Sequence, residues 1–290
     1  MDYLIAIDGG GTKTDIALAA LDGGGVARVR VGGTSLSHHS QAVVADTLAA
    51  ACQQFPGSLE HYAGAAARRL SGSRGDSRAG PRANQRRAGP RANQCRAACA
   101  GFASAGLAAN AAWYRRILGE LMPAAAIEVT TDAALALEGA TNGGDGLLVI
   151  AGTGSIVLGR RGALTARAGG DGPPDDLGSG DWIGRQAVAA GLLPPPAARS
   201  YAALVRELGP DLTQRAAPIF ERAGAALAAM LRSCADQLAW PDAPAYALGS
   251  VVEHVTALRV ALERNWGRPL LSPQGTALDA ALRRARALLS

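Results

Sequence analysis

Short hydrophobic runs separated by glycine turns open the chain, and a helical pattern follows them. Residues 3–8, 14–20 and 26–33 are rich in isoleucine, leucine, valine and alanine and are bounded by turn residues, as β-strands are. Over residues 41–54 and 58–70, alanine, leucine and valine recur every three or four positions, which is the spacing of one helix face. The first part of the chain is therefore predicted to be a meander of three strands followed by two helices.

Strands and helices alternate along the rest of the chain. The predicted strands are 97–106, 126–132, the two arms of 147–160, and 245–250, and the predicted helices are 108–121, 133–140, 181–191, 198–208, 212–239, a helix that ends near Trp266, and 274–289. This alternation is typical of α/β folds. A chain of 290 residues, 48% of them hydrophobic, is long enough for two domains, which we place at residues 1–112 and 113–290.

Residues 71–94 interrupt this pattern. They contain no large aliphatic or aromatic residue, and the octet RAGPRANQ occurs twice, at 78–85 and at 87–94. Such a segment cannot bury a hydrophobic face, so we expect a disordered insert in the N-terminal domain. The window 68–96 holds nine arginines and one aspartate, a charge of +8, whereas the whole chain carries +5. Because the remainder is net negative and no aromatic residues interleave the arginines, we expect no nucleic-acid partner.

Cysteine spacing and hydropathy indicate the compartment. Cys52, Cys95, Cys99 and Cys234 form no C-x-x-C pair, which argues against a structural zinc site or a disulfide framework. The N-terminus shows no basic segment followed by an apolar one, and no apolar run reaches the length of a membrane span. We therefore expect a soluble, cytoplasmic protein without a membrane partner.

Two glycine-rich turns between predicted strands are the main candidates for chemistry. They read DGGGTKT at 8–14 and AGTGS at 151–155. Neither matches the Walker loop, and neither precedes a predicted helix as a dinucleotide-binding turn does. Glycine lets a backbone approach an anion closely, so the N–H groups and neighbouring hydroxyls of these turns can bind phosphate. The candidate hydroxyl donors are Thr12, Thr14, Thr153 and Ser155.

Asp8 lies at the end of the first predicted strand, just before the first glycine turn. A carboxylate at the end of a buried strand is costly unless it meets a cation, directly or through water. One glycine hairpin alone is more often a tight turn than a binding site. Two of them, about 140 residues apart and each with hydroxyls, favour phosphate binding.

Five segments, in order, resemble the BadF/BadG/BcrA/BcrD ATPase family, and within it the N-acetylglucosamine and glucosamine kinases of the sugar kinase–heat-shock protein–actin superfamily. They are IDGGGTKTDIAL (7–18), VTTDAALALEGA (129–140), VIAGTGSIVLGR (149–160), GGDGPPDDLGSGDWIGRQA (169–187) and SPQGTALDAALRRA (272–285). The resemblance implies an α/β, two-domain actin-like ATPase (ribonuclease H-like) fold with a nucleotide cleft between the domains. It also implies that the last helix, about 274–290, packs back on the first domain.

The same resemblance implies an ATP-dependent kinase that phosphorylates an amino sugar, N-acetylglucosamine or glucosamine, with ATP and Mg²⁺ as cofactors. Asp132 would be the general base, and Asp8 would orient Mg²⁺ through water. The residues implied in ATP and phosphate binding are Gly9, Gly10, Gly11, Thr12, Lys13, Gly152, Thr153, Gly154, Ser155 and Gly249. Those implied in sugar binding are Ser37, His38, Asp132, Thr153 and Asp176. The family tends to dimerise, so the resemblance is compatible with a homodimer, although the sequence does not give the oligomeric state.

Several positions depart from the family's pattern. Asp171 replaces a tryptophan, Leu177 a glutamate and Ser250 the second glycine of an adenosine-side turn, and the helical region 212–239 is short. Two alternatives to an amino-sugar kinase stay open, and the departures support only the second of them. One is an activator ATPase of the same family, which would need cysteines to hold an iron–sulfur cluster. The other is a degenerate, non-catalytic sugar-binding regulator.

Three candidate site residues also have structural interpretations. Asp132 precedes a predicted helix and could serve as its N-cap. His38 could be an exposed turn residue without a ligand. Asp175 and Asp176 could form a solvated acidic turn. The residues by themselves do not choose between these interpretations and the roles that the resemblance implies.

Overall fold

The computed structural model describes residues 2–54, 94–172, 175–196, 200–206 and 208–290. The predicted helix at 58–70 lies outside the described residues. The predicted insert at 71–94 also lies outside them, apart from Gln94. The chain divides into two compact units, which are described one at a time below.

The first unit comprises Met1–Leu135 and Ala277–Ser290. Its described elements are β1 (Tyr3–Gly9), β2 (Lys13–Ala20), β3 (Val26–Gly32), α1 (Gln41–Gln53), β4 (Cys95–Phe102), α2 (Ala108–Leu121), β5 (Ala126–Thr130), the start of α3 (Asp132–Ala140), and α10 (Ala277–Ala287). The described strands form a sheet in the order β3-β2-β1-β4-β5. Neighbours among β1, β2 and β3 are antiparallel, whereas β4 runs parallel to β1 and β5 parallel to β4.

β1 lies at the centre of this sheet and is buried on both faces, so YLIAI is an unbroken apolar run. On one face, Ile5 belongs to a core with Leu48 of α1 and Ile117 of α2. On the other face, Leu4 belongs to a core with Leu278 of α10. The C-terminal helix α10 therefore covers one face of the sheet that contains the N-terminal strands.

The second unit comprises Ala136–Thr276. Its described elements are β6 (Gly146–Ala151), β7 (Ser155–Arg161), β8 (Leu164–Gly169), α4 (Gly180–Ala189), α5 (Tyr201–Arg206), α6 (Pro210–Arg215), α7 (Ala217–Gln237), β9 (Ala245–Leu248), α8 (Ser250–His254) and α9 (Thr256–Trp266). The sheet order is β8-β7-β6-β9, with β9 parallel to β6 and the other neighbours antiparallel. Leu227 of α7 belongs to one core with Val149 and Val157 of the sheet.

The two sheets have the same topology. In each, three consecutive strands form an antiparallel meander, and a later strand pairs in parallel with the first of the three. A glycine hairpin joins the first two strands of each meander, at 10–12 and at 152–154. The two glycine motifs therefore occupy equivalent places in the two sheets.

The structure differs from the sequence prediction at several places, two of which concern the sheet of the second unit and the division of the chain into units. The pattern does not predict β8, because LTARAG contains one large apolar residue and forms a mostly exposed edge strand. The division between units lies after Leu135 and not after residue 112, because α2 and β5 pack within the first unit. The nucleotide cleft between domains stays a prediction.

Among the helices in the described ranges, none combines the length and the apolar character needed to cross a membrane.

Candidate functional site

The first glycine hairpin presents two backbone N–H groups that no described residue uses. It connects β1 to β2, and within it the Gly10 N–H donates to the Lys13 carbonyl over 2.9 Å. The N–H groups of Gly11 and Thr12 donate to no acceptor among the described residues. Successive free N–H groups in a turn form the concave arrangement that binds anions such as phosphate. Thr12 and Lys13 are exposed beside them.

Packing beneath this hairpin explains why position 9 is glycine and why the Thr14 hydroxyl is not available to a ligand. A Cβ at Gly9 would collide with the Phe102 ring and lie 2.5 Å from Oγ1 of Thr34, so only glycine fits. Thr14 is buried, and its hydroxyl lies 2.8 Å from that of Thr34. Of the two hydroxyl donors predicted here, Thr14 is therefore engaged inside the protein, whereas Thr12 is exposed.

Asp8 and Asp132 are carboxylates close enough to influence each other's charge. Burial, followed by the negative charges of Asp132 and Asp15, raises the pKa of Asp8 to about 6, although Lys13 opposes the shift. Burial also raises the pKa of Asp132, partly offset by the hydrogen bond from the Ala133 N–H. The described residues contain no cluster of three or more ligating side chains. A cation held here would therefore keep water ligands, as Mg²⁺ does.

Asp132 is the first residue of α3, and the residue before it, Thr131, caps that helix. The Thr131 hydroxyl accepts the N–H of Ala134 over 3.1 Å, the bond that an N-cap residue makes. The Asp132 carboxylate instead accepts the N–H of Ala133 over 2.7 Å. The interpretation of Asp132 as the N-cap is therefore wrong, because the cap is the residue before it.

The turn after β3 carries Ser37 and His38, and both side chains are exposed. Buried Tyr114 of α2 holds this turn: its hydroxyl donates to the Thr34 carbonyl over 2.6 Å and accepts the Leu36 N–H over 3.1 Å. Sequence analysis missed this role of Tyr114, since an aromatic residue on a helix is typical of a core position. Ser37 and His38 are thus supported by a buried polar contact.

The second glycine hairpin repeats the arrangement of the first. The Gly152 N–H donates to the Gly154 carbonyl over 2.9 Å, and the N–H groups of Thr153 and Gly154 have no acceptor in the described ranges. The start of α4 holds the outer carbonyls: the Gly180 N–H donates to Gly152 over 2.8 Å and the Asp181 N–H to Thr153 over 3.2 Å. Both hairpins therefore present two successive free N–H groups.

Asp176 is only 6% exposed and lies against the second hairpin. Its Oδ1 accepts the Gly172 N–H over 2.9 Å, and a Cβ at Gly154 would lie 2.7 Å from its Oδ2. The interpretation as a solvated turn therefore fails for Asp176, although the neighbouring Asp175 is exposed. Gly154 is required because the carboxylate occupies the space of a side chain.

A cavity of about 380 Å³ lies beside Asp176 in the second unit. Asp171, one of the positions expected to depart from the family's pattern, lines it together with Asp176 and with Met230 of α7. Ser155 lines it too, but the Ser155 hydroxyl donates to the Leu177 carbonyl over 2.9 Å. The volume falls within the range of small-molecule sites.

Gly249 adjoins the second hairpin from the end of β9. Its φ of +117° is one that residues with a side chain rarely adopt, and a Cβ there would lie 2.5 Å from the Ala151 carbonyl oxygen. Its N–H donates to Oε1 of Glu253 over 3.0 Å. The next residue, Ser250, lies about 4.0 Å from where a Cβ on Gly152 would stand.

The structure collects the predicted site residues into two groups, one in each unit. The first group contains Asp8, Gly9, Gly10, Gly11, Thr12, Lys13, Ser37, His38 and Asp132. Within it, the His38 ring lies beside Gly11, since a Cβ there would be 3.1 Å from Nδ1. The second group contains Gly152, Thr153, Gly154, Ser155, Asp176 and Gly249.

Comparison with known proteins gives one family and several solved structures. Residues 5–193 match the model of the BadF/BadG/BcrA/BcrD ATPase family. A protein of Chromobacterium violaceum, provisionally named an N-acetylglucosamine kinase, is 26% identical over 99% of both chains, with a TM-score of 0.58. A similarly named protein of Porphyromonas gingivalis is 18% identical over 97% of both chains, with a TM-score of 0.63.

A glucokinase of the ROK family from Streptomyces griseus, in complex with glucose and AMPPNP, has the same fold. It is 16% identical over 98% of this chain and 99% of its own, with a TM-score of 0.58. No curated protein matches the chain significantly.

Proposed function

The chain belongs to the BadF/BadG/BcrA/BcrD ATPase family, and on this premise we propose that it is an ATP-dependent kinase of an amino sugar, N-acetylglucosamine or glucosamine. Its fold is that of actin-like ATPases and sugar kinases. The choice of an amino sugar is supported by the provisional names of two similar structures and by the five sequence segments described above.

The observation that carries the proposal is the pair of free N–H groups in each glycine hairpin. Phosphoryl transfer depends on positioning and on stabilising charge more than on covalent chemistry by the protein. Gly11 and Thr12 would donate to phosphate oxygens of ATP, with Lys13 adding positive charge. Thr153 and Gly154 would donate to phosphate oxygens in the same manner.

Asp132 is the proposed general base. A carboxylate with a raised pKa takes a proton from an attacking hydroxyl more readily than an ordinary one. As the sugar oxygen bonds to the γ-phosphorus, its proton would pass to the carboxylate of Asp132, and the bond to the β-phosphate oxygen would break to release ADP. Because Thr131 caps α3, the helix does not need the Asp132 carboxylate for this purpose.

Mg²⁺, which the family implies, fits a pair of carboxylates: Asp8 near the end of β1 and Asp132 at the start of α3. Asp8 has a pKa of about 6 and is mainly ionised at neutral pH, in the electrostatic reach of Asp132. We propose that Asp8 holds the hydrated ion through water. When bound with ATP, the ion neutralises charge on the phosphates.

The proposed sugar contacts are Ser37 and His38 of the first unit, and Thr153 and Asp176 of the second. Asp176 lines the cavity, and its Oδ2 accepts no hydrogen bond from a described residue, so this oxygen would be free to accept from a hydroxyl or an amide. Asp171 lines the same cavity. Because Asp171 stands where the family has a tryptophan, the preference for one sugar substrate over another would differ from the family's at this position.

The activator-ATPase alternative needs accessible cysteine thiolates to hold a cluster. All four cysteines are buried, and burial raises the pKa of Cys52 and Cys95 to about 12 and that of Cys234 to about 11. Thiols that are enclosed and protonated are poor metal ligands. This observation favours the kinase over the activator.

The test is ADP release from Mg-ATP with glucosamine, N-acetylglucosamine, glucose or mannose, each compared with a sugar-free control. We expect an amino sugar to stimulate ADP release and to yield an equal amount of sugar phosphate. ATP turnover that no sugar stimulates would favour the activator ATPase. Sugar binding in calorimetry without any ATP turnover would favour the non-catalytic regulator.

A further inference from the structure

The segment 33–39, which joins β3 to α1, holds two carbonyl groups of the first hairpin. The Thr34 N–H donates to the Gly10 carbonyl over 3.0 Å. Nε2 of His39 lies 3.0 Å from the Gly11 carbonyl oxygen. A carbonyl oxygen can only accept, so the imidazole donates through Nε2–H. One carbonyl is therefore held by backbone and the other by a side chain.

These two bonds determine where the free N–H groups point. A trans peptide is planar, and its C=O and N–H bonds point in opposite directions. Holding the Gly10 carbonyl therefore orients the Gly11 N–H, and holding the Gly11 carbonyl orients the Thr12 N–H. These are the two N–H groups of the hairpin that have no acceptor in the described part of the chain.

The second hairpin is held in the same way, but by backbone alone. The N–H groups of Gly180 and Asp181 hold the carbonyls of Gly152 and Thr153, and the N–H groups oriented in this way are those of Thr153 and Gly154. In the first hairpin, the His39 ring takes the place of one backbone donor. A side chain can be replaced, so the orientation of one N–H can be tested there.

The His39 ring has little freedom to leave its carbonyl. The His39 N–H donates to the Ser35 carbonyl over 3.0 Å, and the next residue, Ser40, caps α1. A Cβ at Gly33 would collide with the Gly11 oxygen and lie 2.8 Å from His39 Nε2. The segment therefore encloses the Gly11 carbonyl from two sides.

We propose that His39 is a positioning residue for phosphate binding, which fixes the Gly11–Thr12 peptide so that the Thr12 N–H points at a phosphate oxygen of the nucleotide. This inference rests on the proposed function, because it takes the first hairpin as a phosphate site. His39 acts through the Gly11 carbonyl and does not contact phosphate. Without its bond, the Gly11–Thr12 peptide is free to rotate, since glycine restrains the backbone least.

The matched variants are His39→Gln and His39→Asn. The amide nitrogen of glutamine is as many bonds from Cβ as Nε2 of histidine, so it can reach the Gly11 carbonyl. Asparagine carries the same amide on a side chain one methylene shorter. Circular dichroism and thermal unfolding compare the folding of the two variants with that of the parent.

Calorimetry measures the binding of Mg-ADP and of adenosine, which has no phosphate. We expect His39→Asn to bind Mg-ADP about tenfold more weakly than the parent and His39→Gln to stay within about threefold, with adenosine bound equally by all three. An asparagine variant with the parent's affinity for Mg-ADP would overturn the proposal. A general loss that includes adenosine would also overturn it.

If the asparagine variant does not fold, Mg-ADP binding by the glutamine variant tests the proposal. Parent-like binding of Mg-ADP by His39→Gln would support the proposal, and a tenfold loss in a folded protein would contradict it. A parent that binds no Mg-ADP would refute the phosphate site and this inference together. A parent that binds Mg-ADP but phosphorylates no sugar would refute only the proposed kinase activity.

Discussion

Asp8 and Asp132 are residues whose placement is unfavourable for stability and useful for chemistry. Both carboxylates are partly buried, and burial raises the pKa of each, that of Asp8 to about 6. An ionised carboxylate is better solvated in the unfolded chain, so these charges oppose folding at neutral pH. The same environment would suit the roles that we propose, in which Asp8 holds a hydrated cation and Asp132 takes a proton from a hydroxyl. The two residues therefore give separate predictions.

Asp8→Asn is expected to stabilise the metal-free protein at neutral pH. The folded pKa of Asp8, about 6, lies above the ordinary value of 3.8, so the folded state binds the proton more tightly. Stability contributed by this group therefore falls as the pH rises from about 4 to 6, and the loss is complete above that range. The difference between these two pKa values corresponds to about 3 kcal/mol.

Thermal unfolding of the parent and of Asp8→Asn between about pH 4 and pH 8, without metal, checks this prediction. The variant should have the higher Tm near pH 7, and the difference should shrink toward pH 4. A difference that does not depend on pH would show that the Asp8 charge is not its source.

Asp132→Asn is expected to lower kcat at least ~100-fold with a near-normal Tm. The amide oxygen can still accept the Ala133 N–H, and Thr131 still caps α3. An amide cannot take the hydroxyl proton. Mg-ATP and sugar binding, measured by calorimetry, should be retained.

Thr131→Ala is the converse control for Asp132→Asn. It removes the helix cap, which is worth about 1 kcal/mol, and leaves the proposed base in place. Its Tm should fall while its kcat stays near that of the parent. If Asp132→Asn turns over sugar at close to the parent rate, Asp132 is not the base, and Asp176 becomes the next candidate.

Within the elements, the glycines of the first hairpin have different reasons to be glycine. Gly9 lies where a Cβ would collide with Phe102, so its role is packing. At Gly10, the Lys13 carbonyl oxygen, 3.2 Å from an added Cβ, is the one atom within 4 Å among the described residues outside its immediate neighbours. A side chain at Gly10 therefore requires a small shift of the Lys13 carbonyl, whereas one at Gly9 would collide with the Phe102 ring.

Gly10→Val is expected to weaken ATP binding at least about tenfold and to keep the fold, because its side chain occupies space that the backbone offers to phosphate. Calorimetry with Mg-ATP and circular dichroism are the measurements. Gly32→Val is the matched control, since a Cβ at this β3 position meets nothing within 4 Å. Parent-like ATP binding by Gly10→Val would mean that the hairpin is only a turn.

For the whole molecule, the first unit is completed by the end of the chain. α10 covers the face of the first sheet that carries Leu4, Ala6 and Ala97. Ala281 is fully buried in this contact, whereas Ala287 of the same helix is exposed. Small residues on both sides bring helix and sheet close together, so the interface leaves no room for larger side chains.

Ala281→Leu is expected to destabilise the protein by about 1–3 kcal/mol, because added methylenes cannot be accommodated in a closely packed contact. Ala287→Leu adds the same atoms at an exposed position and should change the free energy of unfolding by less than about 0.5 kcal/mol. Denaturant unfolding of both variants measures the difference. Equal stabilities of the two variants would mean that α10 does not pack closely on the sheet.

Most strands, most helices and both glycine hairpins could be predicted from the sequence, because each depends on residues that are near one another along the chain. The apolar runs of β1 and β2 and the glycines between them are local signals. The start of α3 could be predicted only to within one residue, because both Thr131 and Asp132 can cap a helix. Which of the two is the N-cap depends on side-chain geometry. Strand β8 has too few apolar residues to give a signal.

The sequence by itself determined the α/β class, the two hairpins and the acidic residues at the strand ends, since hydrophobic period and glycine position act locally. Only the tertiary structure decided what holds the first hairpin. His39 reaches a carbonyl 28 residues away and Tyr114 one that is 80 residues away. No spacing rule predicts such contacts, because they exist only after the strands and helices between them have packed. A hydrogen bond forms only where a donor and an acceptor lie close together, and for these residues that closeness depends on the whole fold.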